Sequence, residues 1–365
     1  MRRKKTLAMA AALGTLVLGA GYLAVAQQQI EESQRARVLP VKGGTYRVLP
    51  ATPETSQWGF LDPNEKPKLI VNSGDTVAVE TMSHGLNKMQ PGMTVDEIVA
   101  LRLANPKGGW HTVTGPIYVN GAEPGDVMEV RIKKIIPKVF GLNLNLPGKQ
   151  FPTIGALPED FPQGYVKFFY LDWETKTAEF KPGITIDLQP FPGILAVGVD
   201  PNDPSRLPDG KVNTVRPWKN GSNMDINELQ EGSILFTPVF QKGGLIWVGD
   251  AHCRQGNGEV NLTALECAYS EIVIQPIVRK DMKLEWPRLE TPTHWIMMGF
   301  DEDLNKAFKI ALKETIDFLV KHHKLDPYEA YSLAAIIGDC RVTQVVDVRK
   351  GIHCMIPKAN FTKKS

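Results

Sequence analysis

The feature that most restricts how this 365-residue chain can fold is its punctuation: short apolar runs broken by glycine and proline almost throughout. With 32 glycines and 27 prolines spread between those runs, few stretches are long enough for a helix, so strands and turns must dominate. The segment "PKLIVNSGDTVAVET" reads as a strand, a Gly-Asp turn and a second strand, with Val77 and Val79 alternating against polar neighbours. "GPIYVNGAEPGDVMEVRIKKI" repeats that grammar. Met128, Val130 and Ile132 fall on one face and Glu129, Arg131 and Lys133 on the other, the period-2 signature of a half-buried strand. Pro124 and Gly125 suit the two central positions of a type II turn.

Helical signals are few and local. Thr94, with Glu97 three residues on, forms a capping-box signature for a short helix to Leu103. Near residue 300 the period changes, and Leu304, Phe308, Ala311, Leu312, Thr315 and Leu319 line one helical face. A second late helix follows, with Asp326 as N-cap, Pro327 at the first position, Glu329 at the third and Gly338 as its stop. "RVTQVVDV" then reads as a closing strand. A β-rich body with a late helical pair is an α+β fold, predominantly β.

The formal net charge of +2, with no basic block beyond the N-terminus, argues against a nucleic-acid partner, which needs a concentrated basic face. The N-terminus itself is an export signal: Arg2, Arg3, Lys4 and Lys5, then "TLAMAAALGTLVLGAGYLAVA", with Ala24 and Ala26 forming an A-x-A site. Cleavage after Ala26 gives a periplasmic or secreted protein. The competing reading is an N-terminal membrane anchor, since about 20 apolar residues span a bilayer. Residues 27–42 read as a polar linker. Cys253, Cys267, Cys340 and Cys354 have neither zinc-ribbon nor disulfide-scaffold spacing, so isolated buried thiols are expected, with a Cys340–Cys354 bridge left open.

Chemistry concentrates in "GDAHCRQGNGEV". Asp250 and His252 are two apart, so in extended backbone their side chains leave one face. Gly256-Asn257-Gly258 supplies a turn, and a hairpin would return Glu259 beside Gln255 and His252. The same residues also fit a solvated hairpin tip. "RPWKNGSNMDINELQEGS", carrying Asn223 and Asp225, reads as a loop with a helix start. "GGWHTVTGPIYVNGAEPGD" contributes His111, Glu123 and Asp126, by default a loop histidine and two turn acids. His322, His323 and His353 lack partners at metal-ligand spacing. There is no H-E-x-x-H helix, no phosphate-binding loop and no G-x-S-x-G elbow.

Taken together and in order, "HTVTGPIYVNGAEPGDVMEV", "PFPGILAVGV", "NGSNMDINELQEGSILFTPV" and "GDAHCRQGNGEV" resemble the acetamidase/formamidase family. "PRLETPTHWIMMGFDEDLNKA" and "DPYEAYSLAAIIGDCRVTQVVD" continue the likeness, which spans roughly residues 43–360. The resemblance implies a β-sandwich-like body over 43–290 with a smaller C-terminal α+β portion over 291–365 in the same catalytic unit. It implies a homo-oligomer that hydrolyses a small linear amide to carboxylate and ammonia. A divalent cation, zinc among the candidates, would activate the water, held by Glu123, Asp225 and His252. Glu259 would move the proton, with His252 and Gln255 also in the catalytic set and His111, Asp126, Asn223 and Asp250 around it. The chain departs from the family pattern at Cys253 and Arg254, where a small residue is usual, at Asn257, usually acidic, and at Ser222, usually glycine. Two other readings stay open: an exported binding protein of the same fold holding a small amide or a structural cation, and Cys253 as a nucleophile activated by His252.

Overall fold

The computed structural model of the chain describes residues 37–41 and 44–361. The expected leader and most of the expected linker lie outside the described residues. The linker's last part, Arg37–Val41, is a strand instead. No helix among the described residues is long and apolar enough to cross a membrane.

Two large sheets carry the fold. The first has ten strands, in the order Arg37–Val41, Gly44–Leu49, Thr76–Val79, Tyr269–Arg279, Val127–Pro137, Ile234–Pro238, Arg288–Glu290, His294–Asp301, Lys350–Pro357 and Asp339–Gln344. The second has nine, with Ile246–Arg254 at its hub. On one side the hub pairs with Phe191–Ala196; on the other it pairs with Thr112–Asn120 along its first half and with Leu265–Glu266 along its second. A strand paired along both edges and buried at every position but the last is a rigid place to mount side chains.

The alternation in Val127–Pro137 matches expectation, although Glu129 is buried, paired with Arg131 and Arg279. At the Glu123–Asp126 turn Gly125 has φ 89° and the Asp126 amide donates to the Glu123 carbonyl, as the turn chemistry required. "LIVN" and "TVAV" form strands, but not a hairpin: Leu69–Asn72 pairs with Thr112–Asn120 and Thr76–Val79 with Gly44–Leu49 and Tyr269–Arg279, in different sheets. Val77, Ala78 and Val79 are therefore all buried, which removes the expected alternation. The helix start expected in "RPWKNGSNMDINELQEGS" does not form; Gly221–Asn223 is a short strand beside Phe191–Ala196.

Thr94 and Glu97 make the expected reciprocal cap on Val95–Leu103. Leu304–His323 and Pro327–Ile337 are the late helices, the second capped by Asp326 and Glu329. The first packs through Ala307, Ala311, Thr315, Phe318 and Leu319, while Phe308, expected on that face, is 41% exposed. The reason lies in the strand beneath. A Cβ on Gly299 would meet the Ala311 backbone nitrogen at 2.5 Å, so the helix comes closest along its alanines. Burying a side chain such as Phe318 or Leu319 there contributes about 1.5–3 kcal/mol each. The C-terminal portion is not separate: His294–Asp301, Asp339–Gln344 and Lys350–Pro357 complete the ten-stranded sheet.

All four cysteines are paired, Cys253 with Cys267 and Cys340 with Cys354, which corrects the expectation of isolated thiols. Cys253, bonded to sulfur, has no thiolate to offer as a nucleophile.

Candidate active site

The hub strand brings Asp250 and His252 to one place. Asp250 Oδ1 lies 3.3 Å from His252 Nε2. Phe191 meets the imidazole edge-on at 5.1 Å, and the Tyr269 hydroxyl donates to the His252 carbonyl at 2.8 Å, so ring and backbone are both fixed. The floor is Gly193, between the registered pairs Pro192–Ala251 and Ile194–Gly249. A Cβ there would overlap Asp250 Oδ2 and stand 2.6 Å from Asp225 Oδ1 and from His252 Cε1. Only glycine leaves that space open.

Six further side chains converge from different elements. Glu266 is the cross-strand partner of His252, with Oε2 3.2 Å from His252 Nε2 and 3.3 Å from His84 Nε2. Its Oε1 accepts from the Ala264 amide, so one oxygen is anchored and the other faces inward. His84 follows Ser83 on a turn whose Gly85 and Leu86 have positive φ, and the Leu86 amide donates to Thr112 Oγ1. His111 stands just before the strand at Thr112, its Nδ1 3.0 Å from Thr214 Oγ1 and its Nε2 3.8 Å from Asp250 Oδ1. Asp225 is set by its own amide, which donates to the Gly193 carbonyl, and by its carbonyl, which accepts from Gln255 Nε2. Asp225 Oδ1 is 3.6 Å from His252 Nδ1. Glu259 and Asp347 join Asp225 to form a second acidic group, its oxygens within 4.8 Å of one another. Asp347 is held there because its amide donates to Gln344 Oε1 and its neighbour Arg349 pairs with buried Asp203.

Asp225, Asp250 and Glu259 have φ of 52°, 51° and 48°. Left-handed backbone at a non-glycine residue costs roughly 1–2 kcal/mol. Three such residues in one cluster are strain concentrated where side-chain direction matters, a pattern typical of working sites.

The charge balance is unusual. Five carboxylates (Asp225, Asp250, Glu259, Glu266, Asp347) and three imidazoles (His84, His111, His252) are all buried. None of the five pairs with a lysine or arginine among the described residues. Burial works against the charged form of His252, but the Glu266 and Asp250 carboxylates outweigh it and hold the ring protonated well above the usual histidine range. His84 is raised likewise, burial being overcome by Glu266. Burial drives His111 down to about 4, leaving it neutral. Burial also raises Glu259 and Asp225 well above the usual carboxylate range, reinforced for Glu259 by Asp225 and for Asp225 by Asp347. Asp347 is pushed up to about 7, again mainly by burial. Glu266 goes the other way: despite burial, His252 and His84 hold it well below the usual range.

The inward atoms are orphans. Asp225 Oδ1 and Oδ2, Asp250 Oδ1, His252 Nδ1, Gln255 Oε1, Glu259 Oε2, Glu266 Oε2 and Asp347 Oδ2 are buried without a hydrogen-bond partner. Buried polar groups left so are costly, and a cation is what so many acceptors could share. Spacing agrees. Four ligands at about 2.0–2.1 Å around a tetrahedral zinc stand roughly 3.3 Å from one another. His84, Asp250 and Glu266 offer atoms that all lie within 4.8 Å of one another, with three of the imidazole–carboxylate separations around them at 3.2–3.3 Å.

His252, Asp225, Asp250, Glu259, Gln255 and His111 are thus brought together. Asn223 is buried nearby, donating to the Val215 carbonyl with its Oδ1 free. Glu123 and Asp126 are not part of the cluster. The Glu123 side chain is 51% exposed beside Lys242, and Asp126 accepts from Lys280 and the Glu123 amide as an ordinary turn acid. The hairpin also differs from expectation. Glu259 is not on the returning strand; that strand is Leu265–Glu266, and Glu259 is brought into the cluster by a loop docked through Gly258 on Thr343 and Val345. His84, Glu266 and Asp347 were not singled out from the sequence. Only Glu266 had a local signal, an acid beside a cysteine in an apolar run.

The cavity over the cluster has a volume of about 20 Å³, with Trp110, Leu144, Val215 and Leu262 in its wall. That is room for roughly one or two water-sized groups. A larger apolar groove of about 330 Å³ beside Leu157, Phe161 and Val260 carries no titratable side chain.

The profile of the Acetamidase/Formamidase family matches residues 57–206 and 203–363. The chain is 29% identical over 200 residues to an acetamidase of Mycolicibacterium smegmatis, a stretch covering 41% of this chain and 49% of that protein. It is 25% identical over 319 residues to a formamidase of Methylophilus methylotrophus, covering 73% and 74%. The chain therefore spans only about half the length of the first of these relatives. A solved acetamidase from Bacillus halodurans superposes with a TM-score of 0.76 at 26% identity, covering 86% of this chain and 98% of that one.

Proposed function

This chain belongs to the acetamidase/formamidase family, and from that premise we propose that it hydrolyses a short linear amide to a carboxylate and ammonia. The observation that carries the reading is the set of buried, unpartnered carboxylate and imidazole atoms, of which those of Glu266 and Asp347 belong to residues that line, with His84 and His111, a cavity of about 20 Å³. His84 and His252, once deprotonated, would hold a divalent cation, zinc by the donor set, together with Asp250 and Glu266. When bound it supplies Lewis acidity and a water whose pKa is lowered toward neutrality.

The chain's own residues do the rest. Glu266 and Asp250 present one inward oxygen each, and His111, neutral and tied to Thr214, borders Asp250 without adding charge. Glu259, kept protonated by burial and by Asp225 and Asp347, holds a proton within the acidic group it forms with them. It gives that proton to the leaving nitrogen, since an amide nitrogen departs only as an amine. Asp347, near neutrality, shares the acidic group with Glu259 and returns to it the proton released by the attacking water. Gln255 holds the Asp225 backbone rather than the substrate. Trp110, Leu144, Val215 and Leu262 exclude water and bound the acyl group, favouring one- or two-carbon amides. Export fits the same picture: both disulfides suit an oxidising compartment, as does the N-terminal leader.

The test is ammonia release from formamide, acetamide, propionamide and benzamide by zinc-loaded and chelator-stripped protein. Turnover of the smallest amides that is lost on stripping and restored by zinc is expected. Equal activity before and after stripping would remove the cation from the reaction, and no ammonia from any amide would remove the hydrolase.

A further inference from the structure

Glu266 is held in register by very little backbone. Its strand is two residues long, registered on the hub only at His252–Glu266 and Arg254–Leu265, with an irregularity between them. On its other edge only the Glu266–Leu142 pair is made. The segment that leads to it passes through positive φ at Gly258, Glu259 and Leu262, so the loop does not impose the register either. Yet Glu266 Oε2 must stay 3.2 Å from His252 Nε2 although the Asp250 and Glu266 carboxylates repel one another.

The residues next in sequence to these two are Cys253 and Cys267, bonded to one another and both buried. Cys253 lies at the register irregularity of the hub strand and Cys267 directly follows the two-residue strand, so the bond ties together the two segments that carry His252 and Glu266. The Cys267 amide donates to the Ala251 carbonyl, completing the clamp. We propose that Cys253–Cys267 is a positioning disulfide: it fixes the separation of His252 and Glu266 so that their inward atoms can bind one cation. The proposal rests on the hydrolase reading above and adds a device to it. The second disulfide, also 14 residues apart, joins directly paired residues of Asp339–Gln344 and Lys350–Pro357, whose ladder already fixes their register. It serves as the internal control.

The experiment compares Cys253→Ala/Cys267→Ala and Cys340→Ala/Cys354→Ala with wild type. Zinc affinity is read by competition with a chromophoric chelator, kcat and KM on formamide, and fold by circular dichroism. Loss of support behind a metal ligand typically costs 10–100-fold in affinity or activity. The first variant is expected to keep its fold, bind zinc about 10–100-fold more weakly and lose kcat with little change in KM, while the second matches wild type. A folded Cys253→Ala/Cys267→Ala protein with wild-type zinc affinity and kcat would overturn the proposal while leaving the hydrolase reading intact. If that variant does not fold, wild type is reduced with a phosphine and the cleaved bond identified by alkylation and mass spectrometry. Zinc affinity should fall in proportion to cleavage of Cys253–Cys267, and unchanged affinity at full cleavage overturns the proposal. Wild type that neither binds zinc nor releases ammonia overturns both readings together.

Discussion

Gly193→Ala isolates the geometry of the cluster from its chemistry, because it adds one methyl group and removes no ligand. Gly193 does not have positive φ, so alanine meets no backbone objection there. The cost is steric. Contacts of 2.6 Å to Asp225 Oδ1 and His252 Cε1 fall about 0.8 Å short of the 3.4 Å at which ordinary van der Waals contact begins, and Asp250 Oδ2 is closer still. Three of the eight side chains would have to retreat by that order. Overpacking of this kind costs about 1–3 kcal/mol in stability, at most roughly 2–4 °C of melting temperature per kcal/mol. A misplacement of about 1 Å in a reacting group costs on the order of 10²-fold in rate. Gly193→Ala is therefore expected to fold, to melt somewhat lower and to lose about 10²-fold in kcat on formamide, with weakened zinc binding. Gly256→Ala is the control: it lies in the adjoining loop, its added Cβ would meet nothing within 4 Å, and it should behave as wild type. Wild-type kcat and zinc affinity in Gly193→Ala would refute the placement of the site on this floor.

Glu259→Gln should keep zinc and fold while lowering kcat about 10²–10⁴-fold, read from metal content and ammonia release side by side. Glu123→Ala, by contrast, should leave zinc content unchanged and stability within about 0.5 kcal/mol, because the side chain is on the surface. In the metal-free protein, Asp347 is raised to about 7 from the ordinary 3.8, so the folded state holds more protons than the unfolded one between those values. Stability contributed by that proton is fully present below about pH 4 and lost as pH rises through about 7. Denaturant titration of stripped protein should show this fall, and Asp347→Asn should flatten it; a stability that rises over the same window would contradict the burial of these acids without a cation.

How far the sequence revealed all this depended on distance along the chain. The capping box at Thr94 and Glu97, the Asp326 cap and the Gly125 turn depend on side chains a few residues apart, and each formed as expected. Asp250 and His252 were legible for the same reason, being two apart on one strand. Glu259 was placed at the site for an incorrect reason: a tight hairpin was expected, whereas positive φ at Glu259 and Leu262 sends the chain through a loop and delivers Glu266 opposite His252. His84 and Asp347 come from opposite ends of the folded region, and neither residue has neighbours at ligand spacing in the sequence. Glu123 shows the converse. A turn acid in a recognisable motif has no means of turning inward when Lys242 and solvent are beside it. The 14-residue interval shared by both cysteine pairs was a regularity that could have suggested their pairing.

The most direct test of a cation at the centre of this site is anomalous diffraction from crystals of zinc-loaded protein, collected above and below the zinc edge. The expected result is a single strong peak within bonding distance of His84 Nε2, Asp250 Oδ1 and Glu266 Oε2, lost in Glu266→Gln crystals soaked in the same way. An active protein whose crystals show no peak at those atoms, or whose only peak lies elsewhere on the chain, would contradict it.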